Sequence, residues 1–462
     1  MGHLYRVHRA STGPLTMAPT GPDGAAGEGR PWGRALVWLV GLGVFFYTSY
    51  GLANWLAGQR ESVPSIVFGW EHRIPFLAWT IIPYWSVNLF YAASLFVCRT
   101  RAELRTHARR LLTAQVIAVI FFIATPLTFS FAQPATDGIP GYFFTALQSF
   151  DRPYNQAPSL HIALLVILWA LYGRHVPSAL RGLLHAWFAL VGLSVLTTYQ
   201  HHFIDIPAGA LLGLLCLWVW PVGRPSPLID RPAGTDRARL RMAASYGAGA
   251  VIIALAGLWL GGLGLWLLYP AVSLVVVAFN YALLGPDGFE KDTDGAMRPA
   301  ARWLLAPYLL GAWLNSRAWT AGQPASCEIA EGVWLGRFPD RKILSADRFG
   351  TVVDLTAELP APAQRPNWYC VPLLDLVAAE PEALRAAARR IEQARSAGHV
   401  LVVCALGYTR GASAVAVWLV SSGRAADIDQ AIVTIQRKRP MVRLAHRREQ
   451  LQMAIDNRAV PS

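Results

Sequence analysis

Eight nearly unbroken apolar stretches fill the first part of the chain, at 34–56, 76–98, 111–131, 159–172, 182–199, 204–222, 242–260 and 262–284. Runs of this kind approach the hydrocarbon thickness of a bilayer, so each predicts a membrane-spanning helix. The fourth is short, and several contain Pro, Asn or Gly. A ninth stretch, 301–318, is rich in Trp and Leu but shorter and interrupted by Pro307, which predicts a helix lying in the bilayer interface. Beyond it the pattern changes. Val400-Leu401-Val402-Val403 and Val352-Val353-Asp354-Leu355 read as buried strands, and the small residues of 411–420 as a helix packed on the first of them. The predicted fold is therefore multidomain: a polytopic α-helical membrane domain, with a six-helix core and two further spans, followed by an α/β domain with a central sheet.

Composition agrees, since 54% of the 462 residues are hydrophobic and only 15% charged. The arginines set the topology. Arg30 and Arg34 precede the first span, Arg99 to Arg110 fill the second connection, Arg174 and Arg181 flank the fourth, and Arg224 to Arg241 crowd the sixth. All fall on one side if the N-terminus is inside, as positive charge prefers. The net charge of +13 then reflects topology and contact with anionic lipid, and no nucleic-acid partner is implied. The expected location is the inner (cytoplasmic) membrane of a bacterium, with both termini cytoplasmic. The expected divisions are a disordered N-terminus (1–30), a membrane domain (31–223), a cytoplasmic linker (224–241), two further spans (242–285), a linker with the interfacial helix (286–324) and a soluble domain (325–462). The five cysteines, Cys98, Cys216, Cys327, Cys370 and Cys404, are scattered, as suits a reducing compartment.

The candidate chemistry of the soluble domain lies in Cys404-Ala405-Leu406-Gly407-Tyr408-Thr409-Arg410, between strand and helix. Backbone N–H groups of such a loop and the helix N-terminus form an anion cradle, whose field favours a thiolate. Arg410 can grip two phosphoryl oxygens at once. This run resembles the Cys-x5-Arg phosphate loop of the dual-specificity and tyrosine phosphatase family, over roughly 328–451. The resemblance implies that Cys404 attacks phosphorus, Arg410 stabilises the equatorial oxygens, Gly407 helps hold the phosphate and Asp375, 29 residues upstream of Cys404, protonates the leaving oxygen. Two positions depart from the family: Val403 stands where His is usual, and Gly411 where Ser or Thr is usual. The first implies a less acidic thiol, the second slower release from the phosphocysteine.

A second constellation falls on the outer face. Pro158-Ser159-Leu160-His161 opens the fourth span, and Gln200-His201-His202-Phe203-Ile204-Asp205 joins the fifth to the sixth. His201 and Asp205 are four apart and share a helical face, so the carboxylate can fix one imidazole nitrogen and leave the other nucleophilic. These segments resemble the type 2 phosphatidic acid phosphatase superfamily, especially its inositol phosphorylceramide synthase branch. The resemblance implies His201 as nucleophile, Asp205 as its orienting acid, His161 as general acid and Ser159 as a phosphate ligand. The family's Lys-x6-Arg-Pro motif is missing, and Thr197-Thr198 stand near the usual Ser-Arg, leaving Arg152 and His202 as substitute cations.

The expected function is a bifunctional membrane phosphatase of phospholipid metabolism. The outer site would hydrolyse or transfer a lipid-linked phosphate. The inner one would cleave a phosphate monoester on a lipid headgroup or a phosphoprotein. Neither family implies a metal or organic cofactor. A phosphotransferase with a phosphate-sensing pseudophosphatase domain, or a non-catalytic membrane scaffold, are the alternatives.

Overall fold

The computed structural model describes residues 29–229, 236–345 and 348–456, so the expected disordered N-terminus and the middle of the 224–241 linker lie outside the described residues. Sixteen α-helices and five strands are described. The helical module comprises α1 (Trp32–Gly58), α2 (Ile81–Val97), α3 (Arg101–Ala124), α4 (Gly138–Gln148), α5 (Leu160–His175), α6 (Arg181–Thr197), α7 (Asp205–Val219), α8 (Arg237–Leu260) and α9 (Leu268–Phe279). Among the described residues, six helical segments are long and apolar enough to cross a membrane: Trp32–Gly58, Ala78–Val97, Arg101–Ala124, Ser178–Thr197, Arg237–Leu260 and Gly262–Phe289. Their outward faces carry Leu36, Val37, Val40 and Val44 on α1, and Val251, Ile252, Leu255 and Trp259 on α8, all exposed. Apolar patches of that extent are stable against lipid chains rather than water.

The expected fourth and sixth spans fall on α5 and α7, which have only 16 and 15 residues. At ~1.5 Å per residue each is about 22–24 Å long, short of a hydrocarbon core of about 30 Å. They pack at the centre of the bundle, where Gly209 and Gly213 of α7 let α5 approach. A Cβ on Gly209 would lie 2.4 Å from the Ser159 carbonyl oxygen, and one on Gly213 2.8 Å from that of Ala163. The third helix differs from expectation at its start. It begins at Arg101, because Thr100 caps it by accepting the Glu103 N–H at 3.1 Å, so the arginine-rich connection is mostly helix. Arg110 there is buried and donates to the Trp220 carbonyl at 2.8 Å.

The stretch expected to lie in the interface forms two helices, α10 (Pro299–Leu304) and α11 (Ala306–Trp319), with Pro307 in the first turn of the second. The remaining elements are β1 (Ser326–Ala330), β2 (Val333–Arg337), α12 (Arg341–Leu344), β3 (Thr351–Thr356), β4 (Asn367–Leu373), α13 (Pro381–Arg395), β5 (Val400–Cys404), α14 (Arg410–Ser421), α15 (Ile428–Lys438) and α16 (Arg448–Ile455). The strands form one sheet in the order β1-β2-β5-β3-β4, parallel except for the β1–β2 pair. Every residue of β3 and β5 is buried, as expected of central strands covered on both faces. One face packs on α13, α14, α15 and α16; the other carries Phe338, Phe349 and Trp368, with Ala312 of α11 against them.

The segment expected to be a linker, 286–324, is instead built into both modules. Lys291 enters the sheet domain and donates to Asp354 Oδ2 at 2.6 Å, Thr356 O at 2.8 Å and Thr356 Oγ1 at 2.9 Å. Cys370 N–H donates to Thr293 O at 2.7 Å and Ala361 N–H to Gly295 O at 2.9 Å. Gly295 has φ +80°, and a Cβ there would lie 2.5 Å from the Trp368 ring, so both backbone and space require glycine. On its other side this strap is tied to the helical module, by an Arg224–Asp292 ion pair and by Arg298 Nη1 donating to Val222 O at 3.0 Å.

Candidate functional sites

Parallel strands end side by side, so the loops after β3 and β5 converge on one edge of the sheet. The loop after β5 holds Cys404 and leads into α14 at Arg410. Cys404 Sγ accepts the Gly407 N–H at 3.2 Å, which Gly407 can offer because its φ is +73° and its Cα packs against the Gly336 backbone. The loop's outward carbonyls are tied down from behind. Arg439 donates through Nε to Gly407 O at 3.0 Å and through Nη2 to Leu406 O at 3.1 Å, and Ser316 of α11 donates to Ala405 O. With its carbonyls so engaged, the loop directs the Gly407 N–H at Cys404, as a phosphate cradle requires.

Arg410 is 2% exposed, and its Nε makes no hydrogen bond. It donates through Nη1 and Nη2 to Glu358 at 2.8 and 2.6 Å, through Nη1 to Leu373 O at 2.9 Å, and its Nε lies 3.3 Å from Asp375 Oδ1. Burial opposes the charge on Arg410, but Asp375 and Glu358 hold its pKa well above the ordinary value. Burial likewise pushes Glu358 up, yet Arg410, through charge and hydrogen bonds, holds it below the usual carboxylate range. The expected Cys404, Gly407, Arg410 and Asp375 are thus brought together. Glu358 is the residue that sequence reasoning missed. Its signal was an acid just after a buried strand, on the edge where Cys404 ends a neighbouring one. Of the two departures, Val403 is fully buried within β5. A Cβ on Gly411 would lie 3.0 Å from Leu335 Cδ1 and in ordinary contact, 3.5 Å, with Cys404 N, so a side chain there would press on Leu335.

The second constellation lies at the N-terminal ends of α5 and α7. His201 Nδ1 is 3.2 Å from Asp205 Oδ2, and its Nε2 is 3.1 Å from Ser159 Oγ. Ser159 caps α5 by accepting the Ile162 N–H at 3.3 Å, and its own N–H donates to Asp205 O at 3.2 Å. The network assigns the Nδ1 proton to the carboxylate and leaves Nε2 as the free lone pair, held by the serine hydroxyl. His161 stacks on Tyr84 with ring centroids 4.2 Å apart, and its buried Nε2 has no partner.

His202 does not serve as the spare cation that the sequence suggested. Its Nδ1 is 3.0 Å from the buried Glu71 Oε2, and its Nε2 accepts the Ser130 N–H at 3.1 Å. It stacks on Phe129 at 4.4 Å, so it is a clamp between loops. Glu71, 131 residues away in sequence, carried no signal that would pair it with His202. Arg152 is exposed, with its guanidinium beside Gly58, and no contact joins it to Ser159, His161 or His201 among the described residues. The two sites lie at opposite ends of α7. Phe203, beside His201, packs on Trp266 at the α8–α9 turn (6.1 Å), whereas Trp218, near the other end, donates to Gly288 O at 2.9 Å on the strap side.

No family model matches the chain, and no curated protein matches it. Solved structures similar to part of it include Tk-PTP in its active form, with 25% identity over 29% of this chain and 99% of that one, at a TM-score of 0.27. Human DUSP28 has 21% identity over 29% of this chain and 95% of its own, at a TM-score of 0.27. PTPMT1 in complex with PI(5)P has 15% identity over 29% and 96% respectively, also at 0.27.

Proposed function

We propose that the chain is a membrane-anchored phosphatase with two phosphoryl-transfer sites on opposite faces of the bilayer. The observation that carries this reading is the convergence of Cys404, the Gly407 N–H, Arg410 and Asp375 on one sheet edge. A phosphate monoester would seat its oxygens on the loop N–H groups and on Arg410, displacing Asp375 from Nε. The Cys404 thiolate attacks phosphorus. The P–O bond to the alcohol breaks as Asp375 gives its proton to the leaving oxygen, and water then cleaves the S–P bond, with Asp375 taking its proton. The substrate class that fits is a phosphorylated lipid headgroup, because the loops that carry Glu358 and Asp375 pack against the helical module and tethering raises its local concentration.

On the other face, His201 Nε2 would take a phosphoryl group from a lipid-linked phosphate, with Asp205 stabilising the imidazolium and His161 protonating the leaving oxygen. Water or a hydroxyl acceptor completes the cycle. Both termini lie in the cytoplasm of a bacterial cell in this arrangement, with phosphorylated lipids as partners.

The test is phosphate release in proteoliposomes from phosphatidic acid, phosphatidylglycerol phosphate, a phosphoinositide monophosphate and a polyprenyl diphosphate. Wild type is compared with Cys404→Ser and His201→Ala. Two sites predict that each substitution silences a different substrate. Loss by His201→Ala alone would make the sheet domain a phosphate sensor, and no loss by either would leave a non-catalytic scaffold.

A further inference from the structure

The loop that carries Asp375 is held through its backbone carbonyls by three side chains. Arg410 Nη1 donates to Leu373 O at 2.9 Å, Arg447 Nη1 to Val377 O at 2.7 Å, and the Tyr281 hydroxyl to Asp375 O at 3.0 Å. Between these anchors Leu376 is 65% exposed at φ +59°, a conformation that a leucine keeps only where its surroundings impose it. Arg410 and Arg447 belong to the sheet domain. Tyr281 does not: it sits in the π-helical turn Asn280–Leu284 that ends the α8–α9 hairpin.

Tyr281 is 1% exposed, and its ring is fixed by two more tyrosines from outside the sheet domain. Its centroid is 5.2 Å from that of Tyr246 on α8, which is 5.8 Å from that of Tyr308 on α11. A row of rings from three helices of the membrane side therefore ends, at Tyr281, on the peptide that carries Asp375. Moving the hairpin moves Tyr281, and with it the Asp375 carbonyl.

We infer that Tyr281 is a positioning residue for Asp375, so that the membrane hairpin sets the proton-transfer step of the Cys404 site. This rests on the phosphatase reading of that site. Tyr281 touches neither Cys404 nor the loop that holds phosphate, so its loss should spare attack on phosphorus and impair only delivery of the proton. Those two steps separate by leaving group. A dinitrophenolate departs without a proton, whereas a phenolate needs one.

The experiment uses the full chain in detergent, with wild type, Cys404→Ser, Asp375→Asn and Tyr281→Phe on dinitrophenyl and phenyl phosphates. For Tyr281→Phe the expected result is unchanged kcat/KM for the dinitrophenyl ester and a loss on the order of ten- to a hundredfold for the phenyl ester. Adding Tyr281→Phe to Asp375→Asn should cost nothing more, and inhibition by orthovanadate should stay as in wild type. Tyr246→Ala, which removes the ring packed on Tyr281 without removing the Tyr281 hydroxyl, should show the same selectivity more weakly. Equal losses on both esters, weaker vanadate inhibition, or no loss at all would each overturn the inference. All four proteins carry His201→Ala so that only the Cys404 site is read, and hydrolysis that survives Cys404→Ser in that background would instead overturn the phosphatase reading beneath it.

Discussion

In the helical module the candidate nucleophile is held by side chains: Asp205 on one nitrogen of His201, Ser159 on the other. In the sheet domain it is held by backbone: Cys404 receives a loop N–H, and the side chains that matter act on the loop from behind. The difference arises from the elements available. Helix ends in a bundle offer few free N–H groups, so a bundle site is assembled from side chains brought together by close helix packing. A strand–loop–helix turn supplies its own row of donors. A side-chain-held nucleophile should fail when one atom changes, whereas a backbone-held one should fail by degrees.

Asp205→Asn tests the first half and carries the largest expected effect. The amide offers an N–H where Nδ1–H needs an acceptor, so the imidazole would present the wrong tautomer. By analogy with other carboxylate–histidine pairs, the expected loss is about 10³- to 10⁴-fold in the His201-dependent rate. Cys404-dependent release from the same preparation should be untouched. A loss on both substrates would show that the two modules are not separable in this way.

Next in size is the junction. Lys291 and Asp354 are both fully buried, and removing one partner of such a pair leaves an unpaired charge, at a cost of about 3–5 kcal/mol. Lys291→Met should therefore lower the melting temperature of the sheet domain, and adding Asp354→Leu should restore part of it. If Lys291→Met alone is neutral, the strap does not hold the modules together.

Arg439→Met addresses the backbone-held site. It frees the carbonyls of Leu406 and Gly407 without touching the inward N–H groups, and charged hydrogen bonds of this kind contribute about 1.5–3 kcal/mol each. The expected outcome is a graded fall, on the order of tenfold to a hundredfold in kcat/KM for an aryl phosphate. Complete loss would mean that this loop is as brittle as the His201 site.

These sites differ also in how much of them the sequence discloses. Cys404, Gly407 and Arg410 lie within one turn of chain, and His201 and Asp205 within another, so spacing alone predicts the contacts. The groups that hold them come from afar. Glu358 lies 52 residues from Arg410, Glu71 131 from His202, and Lys291 63 from Asp354. Each of those pairs depends on which strands and helices become neighbours, and periodicity does not encode that. The short α5 and α7 are a related case. Their apolar runs read as spans, but their burial at the bundle centre is what lets the His161 and His201 ends be recessed.

The smallest expected effect also lies at the junction, one residue before Lys291. Glu290 is 4% exposed, with both carboxylate oxygens unpartnered, in a left-handed backbone conformation at φ +50°. Burial pushes its pKa from 4.5 up to about 7, although Arg298, Arg224 and Arg110 pull it back. A carboxyl whose folded pKa is raised binds its proton more tightly in the folded state. Its contribution is thus complete below the unfolded value and is lost as pH rises through the folded one. Between pH 4.5 and about 7 the wild type should progressively lose stability from this group. Glu290→Gln removes the titration while keeping size and shape. In a thermal melt of the full chain the variant should melt above wild type in mildly alkaline buffer, with the gap closing as the buffer is acidified. A gap that stays constant across that range, or one of opposite sign, would mean that the strap's carboxylate is already paired and charged. The arginines of the helical module would then be holding the junction by electrostatics as well as through Lys291.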